Sequence, residues 1–381
     1  MNYQLGGLAS MSELIGDLVV YRNLVPADPR LPTVDDLRAG VGLAPGRLPR
    51  KAEPEYGAVV AEMLKRARAI THPQARIERV LFIGDTRLND GAAFRNICAA
   101  GGWPGFCFIG HDAPDEPPQA QIDGPLYIAN RWSALPHFIQ FVQQQGFALD
   151  AGSVFILDMD KTMVGARGRN DKVINEARVE GVRRTVAGLL GPSFDLAAFK
   201  TAYDELGQAP YYGLTADNQD YLAYICLILS AGLFTLESVI QDVQSGRLDK
   251  FDDFISRVQD RRGDLDASGL VPVHDQVWAC VRGGDPTPFK AFRYNEYLTT
   301  IARLGDLPGA TVEQALKQRI VITQEVRAAA LALREKGALG FALSDKPDEA
   351  SIPNKAQARA GMKALHHLPT LVVGEEPPSR D

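Results

Sequence analysis

Short apolar runs without polar alternation punctuate the first half of the chain: Val80-Leu-Phe-Ile83, Phe106-Cys-Phe-Ile109, Leu126-Tyr-Ile128 and Val154-Phe-Ile-Leu157. Between them lie stretches whose apolar positions recur at helical spacing, such as Val59, Val60, Met63 and Leu64, or Leu135, Phe138, Ile139 and Val142. Strands buried on both faces read as continuous apolar runs, and helical connections are what cover such a sheet. The alternation therefore predicts an α/β fold with a mainly parallel sheet. It resumes near the C-terminus, with a helix over 326–336, the strand Leu339-Gly-Phe-Ala-Leu343, a helix around 356–365 and a strand over 370–373. From 172 to about 333 the pattern is helical instead, as at 221–232, 236–245 and 251–262, and reads as an insert. Residues 12–50 carry Pro and Gly throughout and read mostly as loop, with one short strand at 18–21.

Length supports two domains, since 381 residues exceed the roughly 250–300 at which single cores stop growing. A net charge of −6 argues against nucleic acid or an anionic membrane as partner, both of which require a positive footprint. The four cysteines, Cys98, Cys107, Cys226 and Cys280, are too scattered for a zinc motif and read as reduced thiols. The first residues lack the basic start and apolar core of a signal peptide. The longest apolar stretch, 224–234, falls short of the roughly 20 residues that span a bilayer. The expectation is a cytoplasmic protein; its oligomeric state is not legible. The histidines show no HxxxH spacing, and His366 and His367 are expected to point to opposite sides of a helix.

Chemistry concentrates at strand ends. Asp158 and Asp160 stand two apart where the strand 154–157 stops, the end at which open α/β sheets place ligands. Two carboxylates there can divide a reaction, Asp158 attacking phosphorus and Asp160 serving as general acid and then base, while the Thr162 hydroxyl holds a phosphate oxygen. Gly84-Asp85-Thr-Arg-Leu-Asn-Asp90 repeats the logic, with two carboxylates offering the hard oxygen ligands that Mg²⁺ requires. Ser344 ends a third strand, and Lys51, ahead of a helix, is suited to neutralising transition-state charge.

Taken together these segments resemble the haloacid dehalogenase-like phosphatase superfamily. That family carries a strand ending DxDxT, a strand ending in Ser or Thr, a Lys, and a strand ending GDxxxD or a longer variant. Asp158, Asp160 and Thr162 match the first, Ser344 the second, Lys51 the third, and Asp85 with Asp90 the fourth. The order differs from the family's: Lys51 and the Asp85 strand precede Asp158, as a circular permutation would produce. Lys346, Lys355 and Lys363 are rivals for the lysine position.

The resemblance implies a Rossmann-like three-layer core formed by 1–165 and 326–381, with a large helical cap domain at 166–325. The strand at 370–373 and residues 1–50 would complete the sheet beyond Ser344. It further implies Mg²⁺ held by Asp158, the Asp160 backbone carbonyl and Asp85, with Asp90 in support, and hydrolysis of a small phosphorylated metabolite through an aspartyl phosphate. Arg167 and Arg169, just after the first motif, would meet an anionic substrate. The other readings open to this sequence are a phosphomutase and a regulatory module that binds a phosphorylated ligand without turnover.

Overall fold

The computed structural model describes residues 2–216 and 218–375; positions 376–381, which the sequence reading assigned to the core, lie outside the described residues. The chain divides into two compact units, one formed by residues up to Glu176 with those from Thr300 onward, the other by Ala177–Thr299.

The first unit holds all the described strands: β1 (Gln4–Ala9), β2 (Val19–Tyr21), β3 (Val25–Pro26), β4 (Arg79–Gly84), β5 (Gly105–Gly110), β6 (Ala120–Asp123), β7 (Leu126–Ala129), β8 (Ser153–Asp158), β9 (Ile322–Thr323), β10 (Leu339–Leu343) and β11 (Thr370–Gly374). Eight form one sheet in the order β3-β2-β10-β8-β4-β5-β7-β6. Its inner pairs are parallel, and only the edge strands β3 and β6 run antiparallel to their neighbours. The protein is thus α/β with a mostly parallel central sheet. β8 is central, with Leu157 opposite Ile83 on one side and Asp158 opposite Leu343 on the other. Every residue of β8 and β10 is buried, which is why neither strand alternates.

The helix Pro54–Thr71 starts on a proline, whose missing N–H costs nothing in a first turn, and buries Val59, Val60, Met63 and Leu64. Against it packs the helix Asp90–Gly101. The approach is so close that a Cβ on Gly57 would lie 2.4 Å from the carbonyl carbon of Asn96, so no larger residue fits without a shift.

Two expectations about the C-terminal part are corrected. The strand at 370–373 exists as β11, but it pairs with β1 and β9 in a separate three-stranded sheet, and β2 takes the position beside β10. The helix expected at 356–365 is confined to Lys355–Arg359, because Gly361 adopts a positive φ of 84° and breaks it. The helical unit is also narrower than the insert expected at 166–325. Asn170 donates to the carbonyls of Leu316 and Arg319 (2.6 and 2.9 Å), and β9 joins β11, which ties both flanks to the first unit.

The second unit, by itself, is helical throughout its described residues. Its centre is the helix Gln219–Ser230, in which every residue from Leu222 to Ile228 is buried, as expected of a helix surrounded by others. Phe254, Ile255, Phe289 and Phe292 pack into the same core.

A candidate metal and phosphate site at the sheet's C-terminal edge

Because β4, β8 and β10 are adjacent and parallel, their C-terminal ends bring Asp85, Asp158 and Ser344 to one edge. Lys51 reaches the same place from ahead of the helix Pro54–Thr71. Its Nζ lies 2.6 Å from Asp158 Oδ1 and 3.0 Å from both Asp90 Oδ1 and Asp345 Oδ2. The side chains of Lys51, Asp90 and Asp158 are all at least 95% buried (4%, 2% and 5% exposed). Of the rival lysines, Lys355 and Lys363 are exposed, and buried Lys346 donates to Thr300 Oγ1 (3.3 Å). Lys51 touches Asp158 directly.

The Gly84-Asp85 turn is built around Asp90. One oxygen of Asp90 accepts from the backbone N–H groups of Asp85 and Thr86 and from the Thr86 hydroxyl (3.2, 2.9 and 2.8 Å). Gly84 is required there, since a Cβ would come within 2.6 Å of the Asp90 Cβ. The other Asp90 oxygen takes Lys51. Ligand oxygens of Asp85, Asp90 and Asp158 thereby lie within 4.8 Å of one another.

Electrostatics distinguish these three acids. Burial alone would raise Asp90, but Lys51 and the Thr86 donors outweigh it and hold the carboxyl below its ordinary range. Burial pushes Asp85 up to about 7, reinforced by Asp90 and opposed by Arg167, whose Nε lies 2.5 Å from Asp85 Oδ2. Burial also drives Asp158 well above the usual carboxylate range; Lys51 offsets this in part, and Asp90, Asp85 and Asp345 add to it. Lys51 is held charged because its three carboxylates outweigh the desolvation that would lower it. Carboxylates crowded into a buried site against too few cations fit a divalent ion, whose charge would reverse the upward pressure on Asp85 and Asp158.

Asp160 stands apart from that trio. Its Oδ2 lies 3.5 Å from Ser344 Oγ, which also accepts from the Lys346 N–H (3.0 Å). Between Asp158 and Asp160 on one side and Thr162 on the other, Lys161 adopts a left-handed φ of 65°, an uncommon state for a non-glycine residue that marks a tightly constrained turn. Thr162 is fully buried; its carbonyl accepts from Thr323 Oγ1 (2.6 Å), while its own hydroxyl has no hydrogen-bond partner among the described residues.

No protein-family model, curated protein or solved structure matches the chain. The site therefore stands on its geometry.

The two arginines expected to meet a substrate separate. Arg167 is partly exposed and paired with Asp85 at the site. Arg169 is not available to a ligand. Its side chain is 1% exposed, clamped between Asp112 (2.7 Å) and Glu325 (2.9 Å), with the Tyr3 ring centroid 4.2 Å from the guanidinium. Its partners come from positions remote in sequence, so proximity to Asp158 along the chain misled. Asp345 was overlooked: it follows Ser344 directly, and its carboxylate reaches Lys51 although 58% exposed. Its place after a strand end was the available signal.

Proposed function

We propose that the protein is a Mg²⁺-dependent phosphohydrolase that acts on a small phosphorylated metabolite through an aspartyl phosphate on Asp158. The observation that carries this reading is Lys51 Nζ, 2.6 Å from Asp158 Oδ1, inside a cluster that also gathers Asp85 and Asp90 from a different strand end. Segments expected to cooperate from their types alone are neighbours in space. In this reading the sheet-bearing unit is a Rossmann-like core with permuted motif order, and the helical unit is the cap that selects the substrate.

The residues divide the work. An Asp158 oxygen attacks phosphorus as the bond to the leaving oxygen breaks, and Asp160 gives that oxygen its proton. Asp160, then ionised, takes a proton from water as the water oxygen attacks the same phosphorus; inorganic phosphate leaves and Asp158 is restored. The Ser344 hydroxyl, fixed by the Lys346 N–H, and the otherwise unsatisfied Thr162 hydroxyl hold phosphate oxygens. Lys51 neutralises charge that grows on them. Mg²⁺, held by Asp85, Asp158 and the Asp160 carbonyl with Asp90 in support, would polarise the phosphoryl group and balance the carboxylates.

Turnover of a panel of phosphomonoesters, with Mg²⁺ and with EDTA, tests the reading. Hydrolysis should require Mg²⁺ and fall at least about 10⁴-fold in Asp158→Asn. Turnover that survives EDTA, or an active Asp158→Asn, would sink it.

A further inference from the structure

A second polar cluster lies where the segment before β2 meets the turn Leu365–His367. The two histidines do not diverge as a helix would make them. The turn is a 3-10 helix, the rings stand 4.2 Å apart, and both Nε2 atoms approach one carboxylate oxygen, Asp17 Oδ1, at 3.0 Å from His366 and 2.7 Å from His367. All three potential ligand atoms fall within 4.8 Å of one another. We propose that Asp17, His366 and His367 bind one divalent transition-metal ion of the Zn²⁺ class, at a site separate from the acidic one.

The donor set decides the class of ion. Two imidazoles and one carboxylate suit Zn²⁺ and its borderline neighbours, whereas Mg²⁺ favours oxygen alone. The surroundings are built as a ligand shell requires. His366 is 1% exposed, and its Nδ1 lies 2.9 Å from the hydroxyl of Tyr21 on β2. When an ion takes the place between Nε2 and Asp17, the ring proton sits on Nδ1 and is donated to the Tyr21 oxygen, the kind of outer hydrogen bond that commonly orients a histidine ligand. The turn is anchored, with the Leu365 N–H donating to the Ser351 carbonyl and the His367 N–H to that of Ala364 (2.9 and 3.0 Å).

Insertion of the ion needs little movement. Tetrahedral bonds of about 2.0–2.1 Å put ligand atoms about 3.3 Å apart, against 3.0 and 2.7 Å now between Asp17 Oδ1 and the two Nε2 atoms. Asp17, 51% exposed, can supply that shift, and the exposure of His367 (41%) leaves a fourth position to water. The ion would tie together positions 349 residues apart in sequence, so its binding to the native chain alone would raise the melting temperature.

Equilibrium dialysis against Zn²⁺ in excess Mg²⁺, paired with thermal melting of the full chain, tests this. Wild type should bind one Zn²⁺ and melt higher with it. His367→Ala and Asp17→Asn, both at exposed positions, should melt unchanged without Zn²⁺ yet bind it at least about 10-fold more weakly. Asp158→Asn should bind it as wild type does. Absence of Zn²⁺ binding in wild type overturns the proposal. So does undiminished binding in both surface variants, or loss in Asp158→Asn, which would put the ion on the acidic site.

Discussion

Each unit of the molecule buries carboxylates beside a basic side chain, and the two do so to opposite ends. In the helical unit Arg293 lies between Asp220 and Glu296 (2.5 and 2.6 Å), Arg178 reaches Glu296 as well (3.2 Å), and acid and base are matched among the described residues. At the sheet edge, the ion pairs found among the described residues set four carboxylates, Asp85, Asp90, Asp158 and Asp345, against Lys51 and Arg167. A matched network is complete and serves the architecture. An unmatched one is unfavourable by itself and becomes favourable with a cation bound, which makes acid excess a better pointer to a ligand site than burial is.

The largest effect should come from breaking the matched network. Arg293→Met leaves Asp220 and Glu296 buried without their main partner and should cost about 3–5 kcal/mol in urea unfolding, with no recovery on adding Mg²⁺. A cost that Mg²⁺ restored would erase the contrast between the units. Lys51→Met removes a cation from the unmatched site. Without Mg²⁺ it should destabilise by up to about 3 kcal/mol, and Mg²⁺ at about 100 times its dissociation constant should return most of that, on the scale of about 2.7 kcal/mol. Persistent destabilisation in saturating Mg²⁺ would mean that Lys51 is structural.

A smaller change of opposite sign is expected from Asp158→Asn. Neutralising one crowded carboxylate should stabilise the metal-free chain by about 1 kcal/mol even as the proposed activity disappears, because the proposed site rests on an unfavourable arrangement. Equal or lower metal-free stability would show that the site is not overloaded with acid. The smallest effect belongs to His274 in the helical unit, whose imidazole burial makes less basic. Above pH about 6.5 it is neutral in both states; below, the unfolded chain takes up a proton that the native one resists, so stability falls as pH falls. Melting between about pH 7 and 5 should show His274→Gln to be less acid-sensitive by roughly a few tenths of a kcal/mol per pH unit.

The acidic site was legible because its parts sit at the ends of the most readable elements. The runs ending at Ile83, Leu157 and Leu343 are unbroken apolar strands, and each hands its chemistry to the residues that follow. Lys51 was identifiable by its place before a helix, but only its contact with Asp158 separates it from Lys346. The second sheet was hidden for a physical reason. β1, Gln4-Leu-Gly-Gly-Leu-Ala9, is exposed along nearly all its length and shows neither alternation nor an apolar run. β6 is a polar edge strand of the same kind. Arg169 misled because a buried ion pair is made by partners such as Asp112 and Glu325, which no local pattern connects to it. No helix among the described residues is long and apolar enough to cross a membrane.

The central position of β8, flanked by β4 on one side and β10 on the other, has a consequence for biosynthesis. During synthesis β4 is already made when β8 emerges, but β10 follows only after the whole helical unit, a delay of roughly 10–35 s at about 5–20 residues per second. Over that interval a strand with an apolar centre, Val154-Phe-Ile-Leu157, has one row of backbone donors and acceptors open to any other chain. The nascent protein is thus most in need of a chaperone just after Asp158 has been made, and slow translation of the helical segment would lengthen that exposure.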